Sequence, residues 1–110
     1  MAVLRCGDIV ICALAGDYGK PRPAVVVQSD LFNDTHASTT VCPVTSHLVD
    51  APLFRLPLPA GSKTGLEKPS EIMVDKMVAI RSDRIDGKIG DLNAKQRKSL
   101  DQALRLWLGL

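Results

Sequence analysis

Gly19-Lys20-Pro21-Arg22-Pro23-Ala24-Val25-Val26-Val27-Gln28-Ser29-Asp30 places an arginine between two prolines at the mouth of an uncharged apolar run. Pro23 steers Arg22 away from the helical region and, having no N–H of its own, suits the first position of a strand. Ala24 to Gln28 therefore reads as a strand with a held cation at its opening. Period-2 alternation puts Arg22, Ala24 and Val26 on one face and Pro23, Val25 and Val27 on the other, so the guanidinium projects where the sheet turns outward.

Strands are expected on both sides of this stretch. Upstream, Asp8 to Leu14 ("DIVICAL") reads as a short buried strand, joined to it by a glycine-containing loop, Ala15 to Pro21, that carries Asp17, Tyr18 and Lys20. Downstream, Leu31 to Ser38 is polar and turn-like, and Thr39 to Val44 is a β-branched alternating run in which Pro43 signals an edge or a strand end. Pro52, Pro57 and Pro59 flank "LFRL", which reads as an edge strand, and "AGSKTG" reads as a turn into a strand "SEIMVD". Asp86-Gly87 and Gly90 predict one more tight turn. From Asn93 the period changes. Leu100, Ala103, Leu104, Trp107 and Leu108 form one helical stripe, with Asn93 and Gln96 spaced as a capping pair and Gly109 as the stop. The expectation is a mainly β protein: a five- or six-stranded, mostly antiparallel sheet or barrel with a C-terminal helix.

A chain of 110 residues is expected to form a single domain over 1–110. Lys and Arg number 14 against 12 Asp and Glu, a net charge of +2 that permits a nucleic-acid partner without arguing for one. Cys6, Cys12 and Cys42 are odd in number and form no Cys-x-x-Cys pair, so neither a disulfide framework nor a zinc site is indicated. No metal and no cofactor are expected. Ala13-Leu14-Ala15 imitates a leader cleavage site, but Asp8 interrupts the preceding apolar stretch, and no run approaches membrane-spanning length. A reducing cytoplasm without membrane attachment is the expected setting.

No nucleophile elbow, P-loop or metal-spaced histidine pair is present. The residues that remain are individually ordinary. Arg22 alone reads as a strand-edge cation, Thr45 and Ser46 as turn hydroxyls, His36 and His47 as solvated loop residues, and Asp75 beside Lys76 as a solvated turn. Aromatic platforms for stacking bases are few, with Tyr18 and Phe54 among four aromatics in all.

In sequence order, however, "GDIVICAL", "KPRPAVVVQSDLFN", "VCPVTS", "EIMVDKMVAI" and "GKIGDLNAKQRKSLDQALRLWLGL" resemble the MazF/PemK family of toxin endoribonucleases over nearly the whole chain. The resemblance implies an SH3-like antiparallel barrel with a C-terminal α-helix and a homodimer that binds single-stranded RNA, messenger RNA foremost. It also implies sequence-selective cleavage without metal, leaving a 2′,3′-cyclic phosphate and a 5′-hydroxyl, under the control of a cognate antitoxin. The family's catalytic arginine falls on Arg22 and its catalytic threonine on Thr45. A loop Glu of the family is matched by the shorter Asp17, and a Gln often found next to it is Tyr18 here. Asp75 carries over, whereas the amide that follows it in the family is Lys76. Arg22, Thr45 and Asp17 are thus the expected catalytic residues, with Tyr18, Lys20, Ser46, His47 and Asp75 as RNA contacts. Cleavage by a ribose 2′-hydroxyl requires a proton removed, a charged phosphorane stabilised and a leaving oxygen protonated. Because guanidinium stays protonated, Arg22 suits charge stabilisation and proton donation, Thr45 suits orienting the phosphate, and the base is left between Asp17 and His47.

Two other readings compete. The CcdB-type gyrase poisons share the fold and act through a terminal Trp-Gly-Ile; this chain ends Trp107-Leu108-Gly109-Leu110, and its helical stripe assigns Trp107 to the core. A module that only engages an antitoxin peptide has no need for Arg22 and Thr45. An acidic antitoxin segment is expected over the groove lined by Arg22 and Lys20, the competing location being the charged outer face of the last helix, with Lys95, Arg97, Lys98 and Arg105.

Overall fold

Consecutive valines are buried on both sides only where a sheet carries a core on each of its faces, and the strand holding Val25 and Val26 does so. The computed structural model describes residues 3–14 and 20–110. Strands β1 (Asp8–Ala13), β2 (Pro21–Val26) and β3 (Ser38–Thr45) pair antiparallel with β2 in the centre. On one face Ile9, Val25, Cys42 and Val44 join Leu58, Ile72, Leu100 and Ala103 in a core packed beneath the C-terminal helix. On the other, Val10, Cys12, Ala24, Val26 and Val41 pack with Ile80. The alternation expected for Ala24 and Val26 against Val25 and Val27 is thus present. The apolar run is continuous because each of its faces has a core to fill.

Four further strands complete a seven-stranded sheet: β4 (Arg55–Leu58), β5 (Ser70–Met73), β6 (Val78–Arg81) and β7 (Ile85–Asp91). The path runs β4-β5-β3-β2-β1-β7, with β6 also paired to β3. Strand β3 bends between two partners, its first half pairing with β6 through Val41↔Val78 and its end with β5 from Val44↔Ile72. Pro43 sits between those two ladders. It is buried in mid-strand, not at an edge or an end. Val27 N–H donates to Thr40 O, so alternate residues counted from Thr40 turn their backbone groups toward β2, and Pro43 is not one of them. The donor it lacks would have pointed into the gap where β6 has left and β5 has not begun.

The architecture is the expected SH3-like antiparallel sheet with a C-terminal helix, although the barrel does not close. Terminal strands β4 and β7 do not pair; the turn after β4 spans the space between them. That turn is held by Thr64 Oγ1 donating to Pro59 O at 2.7 Å and by Gly65 N–H donating to Gly61 O at 2.8 Å, and it docks on β7 through Asp91 N–H to Lys63 O at 3.1 Å. The tight turn expected at Asp86-Gly87 and Gly90 is instead β7, which pairs with β1 through two register shifts. Its glycines serve an irregular strand and a close approach, requirements that resemble those of a turn when read in sequence. The "LFRL" strand lies two residues later, at Arg55–Leu58, and is an edge strand as expected. It tolerates Pro57 because only β5 pairs with it. "SEIMVD" is strand to Met73 and then a 3₁₀ turn over Val74–Lys76. The polar segment after Gln28 opens with a one-turn helix, α1 (Asp30–Asn33), capped by Ser29.

Helix α2 (Ala94–Leu108) begins with the expected capping box: Gln96 N–H donates to Asn93 Oδ1 and Asn93 N–H to Gln96 Oε1, both at 2.8 Å. Gly109 ends it in the left-handed conformation, φ 73°. Leu100 and Ala103 are buried, but Trp107 is 50 % exposed. The assignment of Trp107 to the core is therefore wrong. The last turn of α2 is exposed at Leu106, Trp107 and Leu108, and Trp107 rests on Phe54 with ring centroids 5.9 Å apart.

Gly65 (φ 73°) and Gly90 face backbone so closely that a Cβ would overlap Ile89 O and the Lys63–Thr64 peptide respectively, whereas a Cβ on Gly87 would meet nothing within 4 Å. Gly65→Ala and Gly90→Ala are expected to cost about 1–3 kcal/mol each. Gly87→Ala is expected to stay within about 0.5 kcal/mol of wild type, as urea melts of the three variants will show.

Candidate active site

The antiparallel pairing of β2 with β3 sets the start of one strand beside the end of the other. Pairing runs Val26↔Val41, Val25↔Cys42, Ala24↔Pro43. Two residues further in the same register, Arg22 comes level with Thr45. Pro21 and Pro23 open β2 by keeping the backbone of Arg22 extended, and Arg22 is exposed opposite Cys12 of β1. Thr45 is the last residue of β3 and half-buried. Its Oγ1 accepts the backbone N–H of His47 at 3.1 Å, which bends the chain into a tight turn just past the strand.

Both side chains line a cleft of about 340 Å³, together with Ser46, Pro23, Val44 and Ile11. The far wall comes from the segment between β4 and β5, with Gly65, Leu66, Glu67 and Lys68, and from Ser70 at the start of β5. A guanidinium, an ammonium, three hydroxyl residues and the Glu67 carboxylate therefore border one cleft, and its two cations and hydroxyls suit an oxyanion such as a phosphodiester.

Of the residues singled out in the sequence, Arg22, Thr45 and Ser46 are brought together here. His47 follows Ser46 on the exposed turn and contributes its backbone N–H to Thr45. Lys20 is exposed just ahead of β2 and does not line the cleft. Asp17 and Tyr18 lie outside the described residues. Asp75 occupies the 3₁₀ turn at the other end of β5, away from the cleft, with Oδ1 buried and lacking a hydrogen-bond partner. Lys68, Glu67 and Ser70 were not found by sequence reasoning. A signal for Lys68 existed, because a Lys-Pro pair stands at the opening of β5 (Lys68-Pro69) as one does at the opening of β2 (Lys20-Pro21).

Near Asp75 lies Cys42, whose thiol is pushed up to about 12, chiefly by burial and secondarily by the charge of Asp75. It is protonated at neutral pH and has no nucleophilic role. Among the described residues no group of three or more His, Cys, Asp or Glu side chains is placed to hold a metal ion.

The chain thus combines a seven-stranded antiparallel sheet, a terminal helix and a polar cleft at the β2–β3 mouth, and comparison with known proteins assigns its family. The family model described as "PemK-like, MazF-like toxin of type II toxin-antitoxin system" matches residues 5–108, and the chain belongs to that family. It is 38 % identical over 108 residues to a probable endoribonuclease MazF of Mycolicibacterium smegmatis, covering 97 % of this chain and 98 % of that one. It is 33 % identical over 103 residues to endoribonuclease MazF9 of Mycobacterium tuberculosis, covering 89 % and 86 %. In fold it is similar to the M. tuberculosis toxin MazF-mt6, with TM-score 0.81 at 24 % identity over 94 % of this chain and 97 % of that chain. A MazE–MazF crystal structure from Deinococcus radiodurans gives TM-score 0.82 at 23 % identity over 100 % and 99 %. These matches do not favour the gyrase-poison alternative.

Cys12 and Cys42 are fully buried and Cys6 is partly exposed. Mass spectrometry after treatment of the folded protein with a thiol reagent at pH 8 is expected to find one modified cysteine per chain, Cys6. Cys12 and Cys42 should react only on unfolding.

Proposed function

We propose that this chain is the toxin of a type II toxin–antitoxin system, an endoribonuclease that cuts single-stranded RNA, messenger RNA foremost, in the cytoplasm. The observation that carries the reading is the β2–β3 register, which brings Arg22 level with Thr45 at the lip of one cleft. The names of the relatives, endoribonucleases of similar length, point the same way.

In the reaction the 2′-oxygen forms a bond to its own 3′-phosphorus as the bond from phosphorus to the 5′-oxygen breaks. One proton leaves the 2′-hydroxyl and one reaches the departing 5′-oxygen, leaving a 2′,3′-cyclic phosphate and a 5′-hydroxyl. Charge accumulates on the non-bridging oxygens. The Arg22 fork is a fixed cation for that charge, and the Thr45 hydroxyl is a neutral donor to the same oxygens. Lys68 extends the positive edge along the backbone path of the RNA. Asp17 or His47 takes the first proton, and Arg22 supplies the second. Tyr18, Lys20 and Ser46 contact the flanking nucleotides, and the active unit is a homodimer. A cognate antitoxin with an acidic segment lies over the same groove and excludes RNA from it. One solved relative is titled an endoribonuclease in complex with its cognate antitoxin, and another a MazE–MazF complex.

Arg22→Ala is expected to lower RNA cleavage by about a hundredfold or more with the melting temperature retained, because the side chain is exposed and carries little of the core. Arg22→Lys should recover little, since a point charge lacks the bidentate fork. Full activity of Arg22→Ala in a gel or fluorogenic RNA assay would remove this residue from the mechanism.

Cleavage is expected to continue undiminished in excess EDTA, since no described cluster has ligand spacing. Loss of activity that added magnesium alone restores would show that the chemistry has been assigned to the wrong groups.

A further inference from the structure

The ion pair between Arg55 and Glu71 differs from the other described pairs in its depth. Arg55 Nη1 lies 3.2 Å from Glu71 Oε1, with the two side chains only 13 % and 14 % exposed. In every other described pair at least one partner is roughly half exposed or more. Desolvating two charges is costly, so a buried pair is weak support for stability and is better explained by geometry that it specifies. Here the geometry is that of the turn after Thr45. Glu71 is the direct cross-strand partner of Thr45, so the two side chains rise side by side on one face of the β3–β5 ladder. The same Oε1 that faces Arg55 accepts Val49 N–H at 3.0 Å, and Arg55 Nη1 also reaches His47 O at 3.4 Å. The pair thus grips the 46–49 segment at two backbone points, and that segment in turn donates His47 N–H to Thr45 Oγ1.

We propose that Arg55 and Glu71 are positioning residues that set the direction of the Thr45 hydroxyl by holding the 46–49 turn. A hydroxyl has one proton to donate and two lone pairs. With a lone pair engaged by His47 N–H, the O–H bond is swung away from the turn, toward the cleft shared with Arg22. A side effect supports this reading. Arg55 Nε is buried with no hydrogen-bond partner, so the guanidinium is placed for its reach to Glu71 and His47 O and not for its own full satisfaction. The proposal rests on Thr45 acting as a donor to phosphate and goes beyond it, since neither Arg55 nor Glu71 lines the Arg22 cleft.

The test is single-turnover RNA cleavage by Arg55→Lys, Arg55→Ala and Glu71→Gln, alone and combined with Thr45→Ala. Circular dichroism and elution volume identify the variants that fold, and the two conservative ones keep the question answerable if Arg55→Ala does not. In the Thr45 background the folded variants are expected to cut about ten- to a hundredfold more slowly at saturating RNA, with KM within about threefold of wild type. Added to Thr45→Ala, the same changes are expected to lower the rate no further, because they act through a hydroxyl that is already gone. Folded variants that cut at the wild-type rate, or losses that multiply in the Thr45→Ala background, would overturn the proposal. A Thr45→Ala protein as active as wild type is a different result: it would remove Thr45 from the chemistry and the positioning role with it.

Discussion

The antiparallel register of β2 against β3 is the constraint on which the rest depends. Ala24 opposite Pro43 aligns Val25 with Cys42 and Val26 with Val41, which sends one set of side chains to the core under α2 and the other to the opposite core. A slip of one residue would exchange the two faces and part Arg22 from Thr45. The slip is resisted because each face has its own packing partners, and because Pro43 is tolerated only where β3 changes from β6 to β5. Fold and active cleft therefore rest on the same pairing.

The incompletely closed barrel follows from the same arrangement. Strand β3 cannot pair with β5 and β6 along its full length at once, so the sheet splits, leaving β4 and β7 as its ends. The turn that fills the space between them also supplies the far wall of the cleft, through Gly65, Leu66, Glu67 and Lys68. Its close contact with β7 is possible because Gly65 and Gly90 lack side chains. Packing at the rim of the sheet and the shape of the cleft are consequently coupled, although the rim is distant in sequence from Arg22.

Charge at the cleft is local. A net charge of +2 over 110 residues gives no broad field to draw in a polyanion, so attraction depends on Arg22 and Lys68 at the lip, with Glu67 beside them setting its limit. Arg55, a third cation of the region by position, is committed to Glu71 and the turn.

Much of the architecture was legible in the chain because it depends on neighbours in sequence. The Pro-Arg-Pro opening of β2, the alternation of Ala24 to Val27, and the capping box and glycine stop of α2 each follow from local backbone geometry and side-chain period. So did Arg22 and Thr45 as candidates, through motifs that keep their spacing. What the chain alone could not decide were matters of close approach between distant segments. Asp86-Gly87 and Gly90 read as a turn because the absence of a Cβ looks the same in a turn and in a strand pressed against another backbone. Trp107 read as core because a helical stripe reports direction and not how far along the helix burial extends. Lys68 joined the cleft, and Arg55 met Glu71 across two strands, only once β4, β5 and β3 lay side by side, since an ion pair sixteen residues apart has no periodic signature. Local conformational preference was written in the sequence; the choice of which surfaces meet was made by tertiary packing, because burial depends on partners that no short stretch contains.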